Sequence, residues 1–161
     1  MRRLLALALV GALLATALVT GLVQATPASG VISTTIATGH LPQINLLVKN
    51  GDWLAQLRTK EDSTLMVVEN DVAPGGSFGW HSHPGPSLII VKSGTLTFYD
   101  GGDPTCSPIV HSAGEAFLDP GTDVHIGINK GTTMAVVIVT RLLPVGAPSR
   151  IEEPAPGQCG F

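Results

Sequence analysis

Charge is scarce in this chain. Asp, Glu, Lys and Arg make up 13% of its 161 residues, and the net charge is only −3. No basic stripe is available to meet a phosphate backbone or an anionic lipid surface, which excludes nucleic-acid binding and electrostatic membrane docking as organising functions. Aromatic residues are also few, at 4%, whereas 19 glycines and 12 prolines punctuate the sequence. That balance suits short strands joined by tight turns. No segment repeats internally, and beyond the N-terminal run no second apolar stretch approaches the length of a membrane span.

That N-terminal run reads as an export signal. Met1-Arg2-Arg3 supplies positive charge, Leu4 to Val23 carries none, and Val23-Gln24-Ala25 offers short residues where a signal peptidase cuts, with Ala28 as a second candidate. The alternative is a retained anchor, since some twenty apolar residues just span a bilayer. The serine and phenylalanine of a twin-arginine signal are missing. The expected organisation is a signal peptide over residues 1–25 and N-terminal strands and loops over 26–62. A β-barrel follows over 63–143, then a Pro/Gly-rich tail over 144–161. The only cysteines, Cys106 and Cys159, form an even pair, and an exported chain is expected to join them as a disulfide.

The informative stretch runs from Gly75 to Gly94, with His81 and His83 at its centre, separated by one serine. On an extended strand, residues two apart face the same way, so both imidazoles can grip one ion. Parity puts Gly79 with them and sends Phe78 and Trp80 to the other face, against an outer layer or a partner. Ala73-Pro74-Gly75-Gly76 reads as a turn leading into this strand from Thr64–Val72. Ser87 to Val91 is almost wholly apolar after its serine, as a strand buried on both faces is. Downstream, Gly114 to Asn129 brings a third histidine, His125, after the Pro120-Gly121 turn. Three imidazoles from two strands leave coordination positions open for a ligand.

These two stretches resemble the signature motifs of the cupin superfamily. In the first, Gly75 is followed by five residues, then His81-x-His83, Ser87 and Gly94. In the second, Gly114 is followed by Pro120, His125 and Asn129, with the glycine that usually lies two after the proline directly after it, at Gly121. The resemblance implies an all-β fold, a double-stranded β-helix or jelly-roll barrel, often dimeric. It also implies one divalent transition metal (Fe, Zn, Cu, Ni or Mn) on His81, His83 and His125. Where the family usually places a glutamate ligand, this chain has Ser87, which removes the only anionic ligand and leaves the ion its full charge.

Around that site, Asp119 and Asp123 flank the turn that presents His125 and are candidates to orient its second nitrogen; as turn residues they need no such role. Ser87 is a candidate to hydrogen-bond a bound water or substrate oxygen. Glu69, His40 and His111 read as solvated. No paired carboxylates lie on the motif strands. Two functions fit. One is an exported metalloenzyme, dioxygenase-like or hydrolytic, acting on a small molecule. The other is a non-catalytic module that binds a metal or a small anionic ligand. An inward acid near the histidines favours the first; a chamber lined only by Ile, Val and Leu favours the second.

Overall fold

The computed structural model describes residues 25–161, so the predicted signal peptide and its alternative as an anchor lie almost wholly outside the described residues. Twelve strands follow in order: β1 Ser29–Leu41, β2 Asn45–Asn50, β3 Trp53–Arg58, β4 Ser63–Ser77, β5 His81–Ser82, β6 Ser87–Ser93, β7 Thr95–Asp100, β8 Ile109–Ser112, β9 Ala116–Asp119, β10 His125–Ile128, β11 Ala135–Pro144 and β12 Ile151–Glu152. All pairings are antiparallel. One layer runs β1-β4-β11-β6-β9 and the other β8-β7-β10-β5-β12, so the fold is all-β, a nearly closed barrel of two facing layers.

From the N-terminal segment, β1 joins the barrel sheet by pairing with β4 along most of its length. The predicted turn at Ala73–Gly76 is instead a bulge within β4. Val31 faces Val72, but Ser29 faces Ser77, so four residues of β4 are accommodated between the two pairs. Extra residues on one strand bend it. The bend carries β4 out of the first layer until Ser77 pairs with Ile128 of β10 in the second.

Period-two alternation explains what lies between the layers. Ile89 and Val91 of β6, Val137 and Val139 of β11 and Leu96 of β7 form a buried cluster, with Phe78 and Phe117 packed against it. Each such side chain contributes about 1.5–3 kcal/mol on burial. The expectation that β6 is buried on both faces is not met. Leu88 and Ile90 are 54% and 51% exposed, because among the described residues no third layer covers that side.

The outer side of the second layer is covered. Trp80, Tyr99, Ile126 and Cys159 form a second buried cluster beneath the C-terminal tail, where Trp80 stacks on Phe161 and donates its indole N–H to the Phe161 carbonyl at 3.3 Å. Cys106 and Cys159 are joined in a disulfide that pins the tail. The tail is mostly irregular but adds β12, whose Ile151 and Glu152 pair with Ser82 and His81. The β2–β3 hairpin forms a separate two-stranded sheet.

Candidate metal centre

Strand pairing brings the two motifs together: His125 at the start of β10 faces His81 of β5 across the sheet. His83 lies just beyond β5, where its N–H donates to the Gly121 carbonyl at 2.7 Å. Gly121 is required there. Its φ is +101°, and a Cβ would sit 2.3 Å from the Gly85 carbonyl oxygen, so only glycine lets the two turns meet.

The three imidazoles are 3–5% exposed, and one ligand nitrogen from each comes within 4.8 Å of the others. Each ring is held by a carbonyl at Nδ1: Gly79 at 2.8 Å for His81, Ser149 at 2.7 Å for His83 and Asp123 at 2.8 Å for His125. A carbonyl only accepts, so each Nδ1 carries the proton and each Nε2 keeps its lone pair. Fixing the tautomer through the second nitrogen is how proteins aim imidazole ligands. Burial pushes His81 down to about 2 and His83 down to about 3, helped by the nearby positive charges of Arg150 and Arg141 respectively. Both rings therefore stay neutral and able to ligate at any ordinary pH. The donor set fits a divalent transition ion.

Two expectations about neighbours change. Phe78 lines the same chamber as the histidines rather than facing away, because Gly79 adopts φ +69° and breaks the alternation between positions 78 and 81. Asp123 holds His125 with its main-chain carbonyl, while its side chain is exposed. Asp119, by contrast, points inward and is 1% exposed. Its Oδ1 accepts the Gly121 N–H at 2.8 Å and lies 3.7 Å from His125 Nδ1. Its Oδ2 lies 3.7 Å from His83 Nε2 and is without a hydrogen-bond partner. The register sets Asp119 directly opposite Ser87, so a carboxylate stands one strand away from the position where the glutamate is replaced. Ser87 is fully buried. Asn129 is structural: its amide bonds the Val72 and Thr133 carbonyls and accepts from the Gly131 N–H. Glu69 faces outward and pairs with Lys92 at 2.8 Å.

The chamber is small and open on one side. Aliphatic and aromatic side chains form its walls, and Asn70 and Arg141 enter it as well. Sequence reading missed both. Arg141 had a signal: it shares parity with the inward Val137 and Val139 of β11. Burial lowers the affinity of its guanidinium for its proton, opposed by the Asp119 charge.

A family model described as a cupin domain matches residues 68–141. No curated protein matches the chain. Among solved structures, the chain is similar to the polyketide cyclase RemF from Streptomyces resistomycificus, at 19% identity over 55% of this chain and 59% of that one, with a TM-score of 0.47. An oxalate oxidase is 27% identical over 54% of this chain and 45% of that one, TM-score 0.47. KdgF from Halomonas sp. is 18% identical over 70% and 78%, TM-score 0.45. The chain spans less than two thirds of the length of the first two. With both histidine motifs meeting in one antiparallel barrel and the family model lying across it, residues 68–141 are a domain of the cupin superfamily.

Proposed function

We propose that this protein is an exported metal-dependent enzyme acting on a small molecule held between a three-histidine metal centre and Asp119. The observation that carries this reading is the unpartnered Oδ2 of Asp119, buried 3.7 Å from a ligand nitrogen of His83. A buried carboxylate oxygen without a protein donor is costly, and such exceptions call for a ligand or a chemical role. An inward acid beside the histidines is the feature expected of the enzyme rather than of the binding module. When bound on His81, His83 and His125, a divalent transition ion supplies a Lewis acid with open positions for a substrate oxygen. Asp119 would accept a proton from the bound molecule at Oδ2. Its other oxygen is tied to the Gly121 N–H, so the carboxylate cannot turn away. Ser87, opposite it, is placed to hydrogen-bond the same substrate. Export is supported by the disulfide, since such bonds persist in oxidising compartments.

The test is the metal content of protein secreted from a host grown with several trace metals, measured by elemental mass spectrometry. Near-stoichiometric metal is expected, and the His81→Ala/His83→Ala variant should lose it. Iron or copper directs substrate screens to oxygen consumption, and zinc directs them to hydrolysis. Absence of metal from the parent protein as well as the variant sinks the proposal. The Asp119→Asn variant should keep the metal and lose turnover; unchanged turnover returns the protein to a non-catalytic binding role.

A further inference from the structure

Four buried side-chain atoms among the described residues are without a hydrogen-bond partner: Asn70 Nδ2, Ser87 Oγ, Asp119 Oδ2 and Arg141 Nε. All four residues line the histidine chamber. Buried polar groups are paired in the great majority of cases, so four exceptions gathered in one small chamber describe the molecule that belongs there. The register arranges three of them. Asp119 faces Ser87 and Ser87 faces Arg141, making one row across β9, β6 and β11. Neighbouring strands are about 4.8 Å apart, so the row is roughly 10 Å from backbone to backbone.

The atoms differ in what they ask for. Arg141 Nε–H and the Asn70 amide nitrogen only donate, Asp119 Oδ2 accepts, and the Ser87 hydroxyl does either. The complementary molecule therefore carries an anionic acceptor at one end and an O–H donor at the other. Arg141 also borders a second pocket together with Arg150, whose guanidinium is engaged by Glu152. The chamber admits only something small.

We infer that the ligand is a small hydroxy acid, its carboxylate on Arg141 and Asn70 and its hydroxyl turned toward Asp119 and the histidines. The hydroxyl end rests on the function proposed above; the carboxylate end does not need the metal.

The experiment compares lactate, lactamide and propionate by calorimetry, on metal-free and on zinc-loaded protein. Lactamide removes only the anion and propionate only the hydroxyl. Lactate should bind metal-free protein at least about tenfold more tightly than lactamide, the size of one charge-assisted hydrogen bond. Arg141→Gln should erase that preference. On zinc-loaded protein lactate should also exceed propionate, and Asp119→Asn should erase that second preference. Equal affinity of parent protein for lactate and lactamide overturns the inference, whether or not the Arg141 variant folds. A lactate preference retained in folded Arg141→Gln overturns it too. Failure of zinc to load removes the metal-centre reading, while the metal-free arm still decides the carboxylate site.

Discussion

The histidine chamber and the β2–β3 hairpin break the usual distribution of residues in opposite directions. In the chamber, polar side chains are inside: Ser87, Asp119, Asn70 and the three histidines are all at most 5% exposed. In the hairpin, apolar side chains are outside: Leu47, Trp53 and Leu54 are 65%, 61% and 60% exposed. The two exceptions carry different amounts of information. Each buried polar group has a direction, because its partner atoms say which nitrogen holds a proton and which oxygen is free. An exposed apolar patch has area but no direction. It asks to be covered and says little about by what.

The contrast is broken hardest by releasing the tail that serves the chamber. Cys106→Ser opens a link between residues 53 positions apart, for which loop entropy gives about 4 kcal/mol. Urea denaturation should show a loss of that order, with a smaller weakening of metal retention, because the Ser149 carbonyl that holds His83 precedes β12 in the tail whose far end is freed. Retention of metal equal to the parent would show that the chamber is independent of the tail.

Acid attacks the same side through the histidines. In the metal-free protein His81 and His83 stay neutral down to about 2 and about 3, whereas the unfolded chain takes up protons near its ordinary value of about 6.5. The unfolded state binds more protons below that point, so the contribution is complete above about pH 6.5 and is lost as pH falls toward 3. The loss is on the order of 1 kcal/mol per pH unit for each histidine. Denaturation midpoints measured from pH 7 to 4 check it, and His81→Gln should flatten the slope.

The smallest effect is expected at the hairpin. Leu47→Gln with Leu54→Gln should change metal content not at all and monomer stability by less than about 0.5 kcal/mol. If a second copy covers this surface, sedimentation velocity should show the pair falling to monomer. A parent protein already monomeric removes the hairpin from that role.

The two regions were also unequally legible in the sequence. His81, His83 and His125 stand at fixed spacings, and strand pairing had only to bring β5 beside β10. What parity could not foresee was backbone that leaves the strand: the left-handed Gly79, which turns Phe78 inward, and the bulge at Ala73–Gly76. Asp119 could be named, but its inward direction depends on the Gly121 N–H across a turn. Arg141 escaped because one cation in an apolar strand reads as an edge residue until its neighbours on β6 are known. The exposure of Leu88 and Ile90 was hidden for the reverse reason, since an apolar run does not say whether anything covers it.

The tail has a consequence in time. His83 is aimed by the Ser149 carbonyl, on a tail that β12 ties to β5 and the disulfide ties again at Cys159, so its ligand geometry is complete only once that tail has docked. The site is thus finished by residues that follow all three histidines in the chain, and the final orientation of His83 waits on chain made after the barrel.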